Sequence, residues 1–111
     1  MTKVELIYNE NNKIQRVIAK GHANFREEND IICASVSSIT QTALLGLIKV
    51  VGLDINYVVD DGYLSFEIPE ILDEEDALKV EVILDTMKEG INDIVSGYGK
   101  FVNLEEKYNV Y

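Results

Sequence analysis

Two side chains in this sequence offer nucleophile and base chemistry, and each is the only one of its kind: one cysteine, Cys33, and one histidine, His22. A thiolate is a strong nucleophile, and an imidazole that titrates near neutrality can take the thiol proton and later hand it to a leaving group. The chemistry open to such a pair is attack on a carbonyl through a covalent acyl intermediate. The bland alternative is a lone cysteine serving as a small buried hydrophobe and a lone histidine solvated at a strand end. Ten residues lie between the two, so whether they meet depends on the elements that carry them.

Residues 2–8 alternate, with Val4, Leu6 and Tyr8 on one face, and Asn9, Glu10, Asn11 and Asn12 supply a turn. Residues 13–22 read as the return strand, which ends at His22. Ile14 and Ile18 share the parity of His22 while Val17 and Ala19 take the other. Both faces are therefore apolar, and alternation does not say which way His22 points. Residues 23–30 (ANFREEND) follow neither periodicity and read as a solvated connection between the two candidate residues.

From Ile31 to Val51 apolar residues recur at helical steps (Ile32, Val36, Ile39, Ala43, Leu47, Val50), and Gly52 reads as the stop. This helix start puts Cys33 at about its third residue. There, free backbone N–H groups and the positive end of the helix dipole would stabilise a thiolate, and the same groups could hold an oxyanion. Asp30 has two readings, an N-cap that fixes the helix start or a group that orients the imidazole. Ser37 lies one turn after Cys33 on the same helix face, where it could donate to a substrate or face water. Gly21, just before His22, would let another part of the chain approach closely.

Residues 53–59 and 63–68 form a hairpin around Asp61-Gly62, and Pro69 ends it. A second helix carries the stripe Ala77, Val80, Leu84, Met87, Ile91, Ile94 and Tyr98. Asp73 is its expected cap, and Gly97 and Gly99 are its expected stop. FVNLEEKY (101–108) is offered as a final edge strand. The order predicts a two-layer α+β domain, ββαββα, with an antiparallel sheet of four to five strands and both helices on one face.

With 111 residues and 47% hydrophobic content, one core is what the chain can bury, so residues 1–111 read as a single domain. A net charge of −10 from 10 basic and 20 acidic residues disfavours direct binding to nucleic acid or anionic membranes and suits a basic protein partner. MTKVELIY is not a signal peptide, and no apolar run approaches the roughly 18 residues that span a bilayer, so the expected location is the cytoplasm. A single cysteine forms no internal disulfide. One His and one Cys without spaced carboxylates make no metal site, and the run Asp73 to Asp76 reads as favourable charge at a helix start. Tyr57, Tyr63 and Phe66 read as core or interface.

Gly21-His22-Ala23, followed by Asp30-Ile31-Ile32-Cys33-Ala34-Ser35-Val36-Ser37, resembles the signature of the ribosomal-processing cysteine protease family, Prp. The resemblance extends to length and element order. It implies a cysteine endopeptidase, needing no cofactor or metal, that removes a short N-terminal extension from a protein of the large ribosomal subunit. The family's catalytic His and Cys map onto His22 and Cys33, with Gly21, Asp30 and Ser37 in support. It also implies a homodimer with a gating loop at residues 23–30. That loop is one residue shorter than the usual pattern, Glu28 or Asn29 stands where a glycine is common, and Ser35 replaces an alanine. Such departures leave room for a second reading, a peptide-binding or ribosome-assembly module that does not cut.

Overall fold

A computed structural model describes residues 1–21 and 27–108, with the backbone alone for 27–30. Five strands, β1 (Thr2–Tyr8), β2 (Ile14–Lys20), β3 (Asn56–Asp60), β4 (Tyr63–Glu67) and β5 (Val102–Tyr108), form one sheet in the order β3-β4-β2-β1-β5. Two helices, α1 (Glu27–Leu45) and α2 (Glu74–Tyr98), pack against each other and against the sheet. The two-layer α+β architecture expected from the element order is therefore present, and FVNLEEKY does supply the fifth strand.

The sheet is mixed rather than antiparallel, because β5 runs parallel to β1. The reason lies in the helices. A helix laid across the sheet returns the chain to its starting end, so the strand after α2 repeats the direction of β4. Since β4 is antiparallel to β2 and β2 to β1, that is also the direction of β1. The same logic makes β3 point along β2, but β4 lies between them and no parallel pair results.

Val4, Leu6 and Tyr8 of β1 lie in the core as the alternation predicts, facing Val17 and Ala19 of β2 and Leu64 and Phe66 of β4. A register irregularity between Ile7 and Tyr8 separates the fates of two residues that share a parity. Ile14 enters the core, whereas Ile18 is buried among Glu5 and Ser65 on the outer face. That outer face carries a lattice of ion pairs in which Lys3 and Lys107 both reach Glu5 and Glu105.

Helix α1 packs through Ile32, Val36, Thr40, Ala43 and Leu44, and the Thr40 hydroxyl is satisfied by donating to the Val36 carbonyl at 2.9 Å. A π-helical turn, Gly46–Val51, continues it to Gly52, whose left-handed φ of 86° ends it as expected. Residues Ile31–Val51 have a mean hydropathy of 1.8, enough by length and composition to cross a bilayer, contrary to the expectation that no stretch approaches this. The inner stripe of that helix is spent on the sheet, which is how the core helix of an α+β domain passes the same test.

Helix α2 begins as predicted. The Asp73 carboxylate accepts from the Asp76 N–H at 2.8 Å, and Glu74, Glu75 and Asp76 occupy the first turn. Val80, Leu84, Met87 and Ile91 are buried, but Ala77 and Tyr98 at the ends of the stripe are exposed. At 25 residues α2 is roughly 37 Å long. The seven-residue strands beneath span only about 23 Å, so α2 is longer than the strands it packs against. Gly97 remains helical, and the helix ends at Tyr98.

Candidate functional site

The inner parity of β2 passes from Val17 through Ala19 to Gly21, and that of β1 begins at Thr2. Lys3 pairs with Lys20, so Thr2 and Gly21 stand side by side at the same end of the sheet, beneath the N-terminal half of α1. Cys33 meets the sheet there. A β-carbon placed on Gly21 would lie 2.5 Å from the Cys33 sulfur and 3.8 Å from the Thr2 hydroxyl oxygen. The missing side chain is what admits the sulfur, since no real carbon tolerates that separation. Cys33 is half-buried there, neither sealed in the core nor free in solvent.

Gly21 is also held along the plane of the sheet. Its N–H donates to the Gly62 carbonyl at 2.9 Å, one step beyond the last β2–β4 pair, Lys20 and Tyr63. Gly62 itself has a φ of 67°, and a β-carbon there would lie 2.7 Å from the Gly21 carbonyl oxygen. In the Asp61-Gly62 turn only Gly62 adopts positive φ, the type II pattern rather than the doubly left-handed type I′. The close approach expected at Gly21 is thus made by the Cys33 side chain on one hand and by the Gly62 backbone on the other.

The helix start differs from the sequence expectation. Helix α1 begins at Glu27, so Asp30 is its fourth residue rather than its N-cap, and Cys33 is its seventh rather than about its third. The physical reason is that Glu27, Glu28, Asn29 and Asp30 form a polar first turn, which lacks the apolar stripe that marks a helix in sequence. Acidic residues there favour the positive helix end. The unpaired N–H groups of a helix belong to its first turn, and the Cys33 sulfur lies a turn beyond, against Gly21 at the end of β2. An oxyanion site made by free N–H groups beside Cys33 is therefore not what this helix start provides.

Ser37 is half-buried one turn along from Cys33, and its carbonyl accepts from the Thr40 hydroxyl at 3.2 Å. His22 and residues 23–26, the core of the expected gating loop, lie outside the described residues, as do the side chains of residues 27–30 and with them that of Asp30. Among the described residues no three His, Cys, Asp or Glu side chains cluster as metal ligands.

A groove of about 770 Å³ opens at the other end of the strands, between the β1–β2 turn, the segment Ile68–Leu72 and the start of α2. Beside it, Tyr8 donates to the Glu106 carboxylate at 2.8 Å and accepts from Lys88 at 3.2 Å, while Lys88 also pairs with Glu106. Tyr8 stacks on Tyr108 with ring centroids 4.3 Å apart. Burial, reinforced by the hydrogen bond to Glu106, pushes the Tyr8 hydroxyl up to about 12. The hydrogen bond from Lys88 holds Glu106 below the usual carboxylate range despite its partial burial. This cluster joins α2 to β5 and is remote from Thr2, Gly21 and Cys33. Sequence reading missed both it and the contact of Gly62 with Gly21, because both are made by pairings between distant segments.

Residues 1–103 match the model of the family described as Cysteine protease Prp. The chain belongs to the Prp family of cysteine proteases. Over 81 residues it is 33% identical to the Ribosomal processing cysteine protease Prp of Bacillus subtilis (strain 168), an overlap covering 70% of this chain and 72% of that protein. The fold is that of two crystal structures of the S. aureus ribosomal processing protease Prp. One, in complex with a substrate peptide, has a TM-score of 0.84 at 23% identity, and the other, with a covalently linked product peptide, has 0.81 at 24%. Each comparison covers 96% of this chain and 100% of the S. aureus chain. The enzyme described here is thus a cysteine peptidase, and the Prp-family match spans the segment that contains its one cysteine, Cys33.

Proposed function

We propose that this peptidase removes a short N-terminal extension from a protein of the large ribosomal subunit, with Cys33 as nucleophile and His22 as its base. The observation that carries the reading is the half-buried Cys33 sulfur seated on the bare backbone of Gly21, in a Prp-family chain whose sequence places its one histidine immediately after that glycine. The B. subtilis relative's name, ribosomal processing protease, supports the substrate class.

In the proposed reaction His22 takes the proton from the Cys33 thiol and the thiolate attacks the scissile carbonyl carbon. The tetrahedral species collapses as the C–N bond breaks, and the imidazolium returns its proton to the departing amine. A thioester to Cys33 remains. Water, deprotonated by His22, attacks it, and the C–S bond breaks to give the free carboxylate and the thiol. Asp30 in the first turn of α1 and Ser37 along its face support the site without taking part in bond making.

We assign this activity to the cytoplasm, where large-subunit proteins are made, and to a homodimer. Support for a dimer comes from β3, an edge strand on which Tyr57, Val58 and Val59 are all exposed. Tyr57 and Val59 share the face of the buried Phe66 and Leu64 yet remain uncovered. Sedimentation of the purified chain tests the dimer.

The substrate is tested by incubating the enzyme with an extended large-subunit precursor from the same cell and sequencing the new N-terminus. One cut that releases the extension is the expected result. An intact precursor would overturn the substrate assignment.

A further inference from the structure

The Asp61-Gly62 turn lies far from Cys33 in sequence, yet it touches the glycine on which the sulfur rests. The two contacts of Gly21 are mutually perpendicular by strand geometry: its N–H and C=O lie in the sheet plane, toward β4, while its α-carbon substituent position points out of the plane toward α1. Gly62 occupies the in-plane side, accepting from the Gly21 N–H at 2.9 Å and leaving 2.7 Å between its own absent β-carbon and the Gly21 oxygen. The sulfur occupies the out-of-plane side, 2.5 Å from the absent β-carbon of Gly21. With backbone on one side and a helix-borne side chain on the other, any shift of Gly21 is also a shift of the surface on which the Cys33 sulfur rests.

We propose that Gly62 is a positioning residue for the peptidase reaction: the β3–β4 turn fixes the Gly21 backbone, and Gly21 in turn fixes both the seat of the Cys33 thiol and the point from which the chain continues into His22. The inference rests on Cys33 being the nucleophile. Any side chain at residue 62 must push against a backbone oxygen rather than a flexible side-chain end, so the displacement passes to Gly21. Angstrom-scale misplacement of a reacting group lowers the chemical step more than it lowers binding.

The structure supplies its own control. Gly52 has the same left-handed backbone, φ 86°, but a β-carbon there would meet nothing within 4 Å. Gly52→Ala and Gly62→Ala therefore share the backbone strain of an alanine at positive φ and differ in the contact with Gly21. Gly62→Asn keeps that contact while easing the strain, since asparagine tolerates the left-handed region best.

The test is steady-state cleavage of the extended precursor by the full chain, with kcat counted per folded molecule. For both Gly62 variants the expected result is a kcat lowered by roughly tenfold or more with KM changed by less than about threefold, and for Gly52→Ala a kcat within about twofold of the parent. Gly62 variants that keep the kcat of Gly52→Ala while Cys33→Ala is inactive would overturn the positioning role alone. A Cys33→Ala variant that still cleaves would instead remove the nucleophile on which the inference rests.

Discussion

The Cys33 sulfur occupies the volume that a side chain at Gly21 would need, 2.5 Å from where its β-carbon would stand. Helix α1 thereby rests through that sulfur on the residue that follows β2, and the residue that follows Gly21 in sequence is the histidine expected to serve that sulfur.

The first prediction is that Gly21→Ala disables the enzyme without unfolding it. Gly21 is not one of the glycines at positive φ, so an alanine there suffers no backbone strain and acts through its contact with the sulfur alone. Cleavage should fall by about a hundredfold, as for other small misplacements of a reacting group. Stability should fall by only about 1–3 kcal/mol, the usual cost of overpacking. Paired measurement of kcat/KM and of the urea midpoint checks both.

The second concerns alkaline pH. The Tyr8 hydroxyl ionises near 10 when unfolded and at about 12 in the folded protein, because of burial and the hydrogen bond to Glu106. A folded value raised in this way contributes stability that is complete below pH 10 and is lost as pH rises toward 12. Tyr8→Phe removes that titration. Melting temperatures followed from pH 9 to 12 should decline more steeply for the parent than for the variant; parallel declines would contradict the assignment.

The third concerns the cap of α2. Asp73→Ala strips the acceptor from the Asp76 N–H and should cost about 1 kcal/mol. Urea denaturation measures it. Activity below the transition should stay at the parent level, because the cap lies at the start of α2 and makes no contact with the Cys33 seat.

The sequence was legible where a residue's fate follows from its neighbours along the chain. The Val4, Leu6, Tyr8 face of β1, the middle of the α2 stripe, the Asp73 cap and the Gly52 stop all follow from local periodicity or local hydrogen bonding. Periodicity carries no direction, so it could not tell that β5 runs parallel to β1. It also locates a helix only where apolar residues recur, and the polar turn Glu27–Asp30 therefore read as loop and Asp30 as a cap. At the site, a lone cysteine, a lone histidine and a glycine between strand and loop were visible as residue types. That the sulfur rests on Gly21, and that Gly62 holds that glycine in turn, was not, because helix packing and the β2–β4 pairing bring these residues together from distant parts of the chain.

The proposed reaction requires the Cys33 sulfur to make the covalent bond to the substrate. The measurement that tests it most directly is cleavage of the extended ribosomal precursor by Cys33→Ala beside the parent, with mass spectrometry of the products. The variant should fold and bind the precursor but release no extension, and His22→Ala should be impaired in the same assay. Release of the extension by Cys33→Ala at the parent rate would contradict it.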